Sequence, residues 1–481
     1  LTLPEPDPDA GPGAMETCNG LDDDGDDRVD EDIPPIRCGV GDCTREVPGC
    51  ADGVPGSCVP GRPGPQERCG GGDEDCDGAV DEDLGVEEAG APIVIRDREG
   101  STGDCTSCNW AFSPVIWPTT DGLLAIWRLG FLGTRPAPNV LARRLDDSGV
   151  PAGPVFTVFD TNATRGPRAA PLPEAAGGEP RLALTFCGRF GTDDRAASAV
   201  VDAAGSVLLS PTARSPTRFG CGAGEPDVAA TGSRLAFAWT DNVAPDNEVL
   251  FDLATTRGVS VGGGSILAEE GRFSPRLATA GNRIGLALPV VPAASPDPGV
   301  RIAFEVRGTD GQPVAERASF PLTTPSGDPV FTIRHAVASA DGETFLWIGW
   351  PSSPAPETPF RWVARFTTDG QVVSPPSLST TIDAPAAVDL VPFGAEGFLA
   401  VVSRLDGAGA LGRAATVLGP DGAEGVRWTS PTEAEAGFVD LDVSVDDEGR
   451  TFLIYLQGPG RDGEPNTVRV QELTCVDEPL G

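Results

Sequence analysis

The stretch TIRHAVASADGETFLWIGW (Thr332–Trp350), followed by RWVARFTTDGQVVS (Arg361–Ser374), decides how the chain folds. An apolar run, an Asp-Gly turn and a second apolar run lead into a strand, another Asp-Gly turn and a strand. Short β-branched and aromatic runs bounded by such turns read as strands joined in hairpins. The same two halves recur along most of the chain. The strand-turn-strand half begins at Val140 (VLARRLDDSGVPAGPVFTV), Ala197 (ASAVVDAAGSVLLS), Val249 (VLFDLATTRGVSVGGG), Ile302 (IAFEVRGTDGQPVAERASF), Arg361 and Gly412 (GRAATVLGPDGAEGVRWT). The other half has a Pro or acidic lead, as in PRLALTFCG, EPDVAATGSRLAFAWTD, SPRLATAGNRIGLALPV and DVSVDDEGRTFLIYLQ.

Successive hairpins are spaced by about 54 residues, close to the four-stranded blade repeats of propellers. Six units are complete on this reading. A seventh is split: WAFSPVIWPTTDGLLAIWRL (Trp110–Leu129), with PIVIRD (Pro92–Asp97), needs one more strand, which NTVRVQELT (Asn466–Thr474) supplies. Joining the two ends in one blade closes a ring and removes exposed sheet edges. The expectation is a mainly β chain with a seven-bladed β-propeller over residues 92–475. A β-sandwich array and a β-helix are the competing architectures.

Composition agrees with many short strands: Gly (62) and Pro (48) are abundant, and aromatics make up 6%. Net charge is −37, there is no Lys, and residues 1–100 alone carry 27 acids against 7 Arg. Such a field argues against nucleic-acid binding and against an electrostatic hold on anionic membranes. It suits solubility and cation binding. No stretch reaches 18 consecutive apolar residues, so no membrane-spanning helix is expected.

Residues 1–17 read as a Pro-rich acidic tether, and 85–91 (GVEEAGA) as a short linker. Between them, residues 18–84 hold seven of the twelve Cys, from Cys18 to Cys76. Dense Cys in a loop-rich segment implies a disulfide framework and an oxidising compartment. The expected location is therefore extracellular or at the cell surface, with a lipid-anchored form as a variant. Seven Cys here and five beyond are both odd numbers. If all pair, one bridge joins the two parts, with Cys18–Cys475 as a candidate; Cys187–Cys221 could tie neighbouring blades.

Two acidic loops lie in this Cys-rich module, Asp22–Asp32 and Asp73–Asp83. Carboxylates at loop positions 1, 3, 5 and 9 form an oxygen cage for a hard cation, and Ca2+ fits best. In the first loop the ligands are Asp22, Asp24, Asp26, the Arg28 carbonyl, Asp30, and Glu31 or Asp32. In the second they are Asp73, Asp75, Asp77, the Ala79 carbonyl, Asp81, and Glu82 or Asp83. Val29 and Val80 are expected to point inward. Position 12 is Ile33 or Leu84 where an EF-hand has Glu, and no amphipathic helix flanks either loop. Position 6 is Asp27 in the first loop and Gly78 in the second, so the second should bind more tightly.

CNGLDDDGDDRVDED (Cys18–Asp32) and CGGGDEDCDGAVDED (Cys69–Asp83) resemble the MopE-type metal-binding repeat of bacterial secreted proteins. The segment between them resembles the Cys-rich spacer of that family. The resemblance covers residues 16–84. It implies a local Cys69–Cys76 disulfide around the second loop. The first loop departs from the pattern, with Gly25 in place of Cys and Asp27 in place of Gly. Copper, which the family's name suggests, wants imidazole or sulfur. His335, the only His, lies far off in a strand.

No catalytic constellation stands out. A Ser-His-Asp triad could use only His335, which reads as structural. SADGETF (Ser339–Phe345) and SVDDEGRTF (Ser444–Phe452) echo the Asp-box turn of sialidase-type propellers, a weak signal among Asp-Gly hairpins. The reading is a monomeric calcium-binding protein whose propeller binds or scaffolds a protein or glycan ligand. The alternative is an extracellular carbohydrate-active hydrolase or lyase using one propeller face, where acids from separate blades would meet.

Overall fold

The computed structural model describes residues 16–23, 27–64, 73–78, 85–96, 110–130, 140–160, 163–172, 180–190, 193–215, 225–241, 248–268, 274–291, 299–351, 360–380, 385–393, 397–405, 411–430, 440–446, 449–457 and 466–476. The chain divides into two compact units, Leu1–Leu84 with Asp477–Gly481, and Gly85–Val476.

The larger unit is a seven-bladed β-propeller of antiparallel sheets. Blade 1 is Trp110–Thr119, Gly122–Gly130, Val140–Leu145 and Phe156–Phe159. Blade 2 is Arg165–Leu172, Arg181–Phe190, Asp193–Asp202 and Val207–Ala213. Blade 3 is Asp227–Ala230, Arg234–Asp241, Glu248–Thr255 and Ser260–Ala268. Blade 4 is Arg276–Ala280, Arg283–Val290, Arg301–Gly308 and Ala318–Pro321. Blade 5 is Ile333–Ala338, Thr344–Pro351, Phe360–Thr367 and Val372–Thr380. Blade 6 is Pro385–Phe393, Gly397–Leu405, Leu411–Leu418 and Glu424–Thr429. Blade 7 combines Leu441–Val445, Thr451–Gln457 and Thr467–Val476 with Gly85–Glu88 from the other end of the unit, and Ile93–Arg96 pairs the same strand.

The ends do meet in one blade, but with a different division from that expected. Each blade starts with the Pro- or acid-led half and finishes with the Asp-Gly hairpin, half a repeat out of phase with the sequence reading. The Trp110 hairpin therefore completes blade 1 with Val140–Leu145 and Phe156–Phe159. NTVRVQELT pairs instead with Thr451–Gln457 and with the two N-terminal strands. GVEEAGA is not a linker: Gly85–Glu88 is a strand, and Val86 is buried beside Trp428, Tyr455 and Leu473.

Packing explains why the strands read as continuous apolar runs. Both faces of a blade are covered, one by the preceding blade and one by the next. Side chains alternate along a strand, so consecutive apolar residues serve opposite interfaces. In Thr344–Pro351, Phe345 and Trp347 pack toward blade 4, while Leu346, Ile348 and Trp350 pack toward blade 6. Seven apolar clusters fill the seven gaps between neighbouring blades, including the closing gap from blade 7 to blade 1. Trp127, Trp239 and Trp347 are fully buried in three of them.

Four-residue turns ending in a left-handed Gly close the outer hairpins of blades 1 to 6, and in blades 1 and 2 they read Asp-x-x-Gly. The Asp202 carboxylate accepts from Ala204 N (2.9 Å) and Ser206 N (2.7 Å). Gly205 sits at φ +81°, with the Phe156 ring against it where a Cβ would go. Asp341, in SADGETF, accepts from Glu343 N and Thr344 N and so only shapes its turn.

Among the described residues of the smaller unit there is no comparable core. Ile36–Cys38 and Arg45–Val47 pair on either side of a 3-10 turn, Gly41–Cys43, and Cys50–Ala51 pairs with Val54–Pro55. Three disulfides hold it: Cys18–Cys50, Cys38–Cys58 and Cys43–Cys76. Val29 is 55% exposed and not an inward anchor; Val80 lies outside the described residues.

Candidate metal centre and propeller channel

The second acidic loop is clamped from both sides. Asp42 N donates to the Asp73 carbonyl (3.0 Å), and Gly64 N to the Glu74 carbonyl (2.6 Å). Cys43, at the end of the 3-10 turn, is bonded to Cys76 in the middle of the loop. Cys76 (φ +64°) and Gly78 (φ +96°) both take left-handed backbone, which folds the loop back on itself. The first loop has Gly25, free of a Cβ, at the position matching Cys76.

Folding back brings the first three expected ligands together. One carboxylate oxygen from each of Asp73, Asp75 and Asp77 lies within 4.8 Å of the others. Two unit charges at about 4 Å repel by about 1 kcal/mol in water and about 4 kcal/mol near a protein surface. Asp73 is only 5% exposed. Its Oδ2 accepts from Gly78 N (3.1 Å), but its Oδ1 is buried with no hydrogen-bond partner. An uncompensated buried carboxylate oxygen is costly, and a cation is the partner such a site lacks. The donors are hard oxygens, and the one sulfur within the loop, Cys76, is tied in a disulfide. The residues present therefore fit a hard divalent cation. Gly41 packs so closely on Asp73 that a Cβ there would overlap the carboxylate. Ala79, Asp81, Glu82 and Asp83 lie outside the described residues.

The first loop is arranged differently. Asp30 accepts from Asn19 N (2.8 Å) and Gly20 N (3.0 Å), and Asp22 from Asp27 N (2.9 Å). Glu16, assigned to the tether by sequence, accepts from Asp23 N (2.9 Å) and Asp30 N (3.0 Å), and so belongs to the module. Asp27 adopts φ +70°, the left-handed turn that Gly78 makes in the second loop. Arg28 is exposed and Glu31 half-buried; Asp24 and Asp26 lie outside the described residues. Asp30 also lies near Cys18 and Cys50, but these sulfurs are bonded to each other and offer no thiolate.

The disulfide expectations need correction. Cys76 pairs with Cys43, not Cys69, because the hydrogen bond from Asp42 to Asp73 sets the 3-10 turn against the loop. Cys69 itself lies outside the described residues. Cys18 pairs with Cys50, not Cys475, within its own unit. Cys187 is disulfide-bonded, and Cys221 lies outside the described residues.

Sequence reading missed a second site, in the propeller channel. The seven inner strands enclose a cavity of about 390 Å3 whose wall includes Arg168, Asp227, Arg276, Asp389 and Asp442. Three of these acids staple one blade to the next. Asp227 accepts from Leu277 N of blade 4 (2.8 Å), Asp389 from Val443 N of blade 7 (3.2 Å) and Asp442 from Ile116 N of blade 1 (2.9 Å). Burial, and next the Asp389 carboxylate beside it, pushes Asp442 well above the ordinary carboxylate range. Burial likewise raises Asp227.

At one end of the channel Ser113 bridges two further acids. Its hydroxyl donates to Glu225 (3.1 Å), and its N–H to Asp440 (3.0 Å). Burial works to raise Glu225, but the Arg168 and Arg276 guanidiniums outweigh it and hold the carboxyl below its usual range. Burial, then the Glu225 charge, raises Asp440. His335, on the inner strand of blade 5, is buried, and burial with nearby Arg276 lowers its pKa to about 3. Its Nδ1 accepts from Trp347 Nε1 (3.2 Å), so Nε2 carries the hydrogen and donates to the Ser274 carbonyl (2.9 Å). His335 is thus a neutral, structural histidine. The channel's signal in sequence is faint: one or two charged residues on inner strands far apart in the chain.

The family described as "Putative metal-binding motif", of the MopE type, matches residues 5–31 and 61–82. The N-terminal region therefore carries that metal-binding motif. No curated protein matches the chain. Among solved structures, a protein of unknown function from Dyadobacter fermentans is 12% identical, with a TM-score of 0.46 over 81% of this chain and 99% of its own. The NanB sialidase of Streptococcus pneumoniae is 10% identical (TM-score 0.40; 80% of this chain, 70% of its own). The Aleuria aurantia lectin, solved with α-methyl-L-fucoside, is 9% identical (TM-score 0.41; 68% and 95%).

Proposed function

We propose that the chain is a calcium-binding protein of an oxidising, extracellular or cell-surface setting, whose propeller serves to bind a ligand. The observation that carries the calcium reading is the Asp73–Asp75–Asp77 cluster with its buried, unpartnered Asp73 Oδ1. Ca2+ takes six to eight oxygens at flexible angles, so Asp81, Glu82 and the Ala79 carbonyl would complete the shell. Copper finds no imidazole within the module, since the one His of the chain, His335, belongs to the propeller, and among the described residues there is no free thiol. The cation neutralises the crowded carboxylates, and its binding free energy adds to the stability of a unit with little apolar core. Calorimetric titration of calcium into the chelator-stripped chain tests this. The expected result is binding that Asp73→Asn weakens strongly; a flat titration would sink the proposal.

A second reading, hydrolysis through the propeller, has one observation in its favour. Glu225 and Asp440 share Ser113 yet are pushed in opposite directions, so that Asp440 holds a proton more readily than Glu225, the asymmetry an acid and its partner carboxylate need. Release of sugar from a broad glycoside panel, abolished by both Glu225→Gln and Asp440→Asn, would establish it over ligand binding alone.

A further inference from the structure

The channel's polar groups are unevenly committed. Its acceptors are largely spent: Asp227, Asp389 and Asp442 take backbone N–H groups from neighbouring inner strands, and Asp389 takes that of Leu390 as well. Its donors are not. Arg168 uses only Nε, on Glu225 Oε2 (3.3 Å). Arg276 gives one long bond, from Nη1 to the Pro275 carbonyl (3.5 Å), and its Nη2 stands 4.0 Å from the same Glu225 oxygen. Among the described residues nothing else accepts from either guanidinium. Both line the cavity and are partly exposed within it, at 19% and 16% of the side chain.

We propose that Arg168 and Arg276 bind the carboxylate of an organic anion of about monosaccharide size in the propeller channel. Glu225 orients both guanidiniums from one side and leaves their remaining N–H groups for the ligand. A planar guanidinium presents parallel donors that match the two oxygens of a carboxylate. The cavity, about 390 Å3, lies within the range of small-molecule sites. Trp117, Leu277 and Leu390 supply apolar wall for the body of the ligand. The acids nearby do not bar an anion: Asp227, Asp389 and Asp442 turn oxygens to backbone amides of the inner strands.

This inference rests on the propeller being a binding module, and is independent of calcium. The test is calorimetric titration of the full chain with D-glucuronate and D-galacturonate, each against its parent neutral sugar. Binding of a uronate with its neutral parent silent is expected. Arg276→Gln should weaken it about tenfold or more, as loss of a charge-assisted pair implies, with Arg276→Lys falling between. Thermal unfolding of both variants checks that they fold. Equal affinity for uronate and parent sugar would overturn the carboxylate assignment while leaving a binding propeller. So would inorganic phosphate bound as tightly as the uronates, or uronate affinity unchanged in folded Arg276→Gln. Silence toward both uronates would overturn the inference outright, without touching the calcium titration.

Discussion

The two units solve the same problem by opposite means. The propeller spreads its stability over seven apolar interfaces, each built from side chains of two blades. The module buries almost nothing apolar; Cys43 and Asp73 are the buried side chains among its described residues. It is held by three cross-links and by carboxylates that accept backbone N–H groups. A cation can matter to the second kind of structure and be irrelevant to the first. A small unit that cannot build a core has to be stapled.

Reduction breaks the comparison most sharply. Each module disulfide closes 20 to 33 residues, worth about 3–4 kcal/mol by chain entropy. Reduced protein should therefore be cut by protease within residues 16–78 while residues 85–476 stay largely resistant. Next in size is Trp347→Ala, which opens the gap between blades 4 and 5 and should cost the propeller about 3–5 kcal/mol in denaturant unfolding. Calcium affinity should be unchanged. Gly41→Ala does the reverse: a Cβ overlapping Asp73 should weaken calcium binding about tenfold or more in calorimetry, with the propeller's unfolding midpoint unmoved.

A pH dependence follows from the channel. Asp442 has a folded pKa well above its unfolded one, so the native state holds the proton more tightly. Its contribution to stability is fully present below about pH 4, the unfolded carboxylate range, and is lost as pH rises through the folded pKa. Asp442→Asn should flatten that decline in the propeller's pH–stability profile. Asp442→Ala should cost about 1–3 kcal/mol at all pH values, because Ile116 N is left unpaired. The smallest effect is expected at Arg37–Glu46, an exposed module ion pair: Arg37→Ala should change stability by about 0.5 kcal/mol or less.

What was legible in the sequence follows the same division. The propeller's strands, turns and closed ring show because each obeys local rules of alternation and turn chemistry. The half-blade phase did not show. The outer hairpins carry strong Asp-Gly signals, whereas long connections such as 131–139 and 352–359 separate the second and third strands of a blade and look like boundaries. GVEE reads as linker because one apolar residue, Val86, is all that marks it as a strand. In the module the carboxylate spacing was visible and the Cys pairing was not, since the partner of Cys76 depends on the turn at Gly41–Cys43. The channel charges were invisible for a related reason: Arg168, Glu225, Arg276 and Asp440 come from four blades and meet only in the ring.

Hydrogen exchange on the full oxidised chain, with and without calcium, tests the central contrast most directly. Calcium at Asp73, Asp75 and Asp77 should slow exchange at amides that brace the loop, including those of Asp42, Gly64 and Gly78. The inner-strand amides of the propeller should not change. Unaltered module exchange, or protection spread evenly over the propeller, would contradict the account.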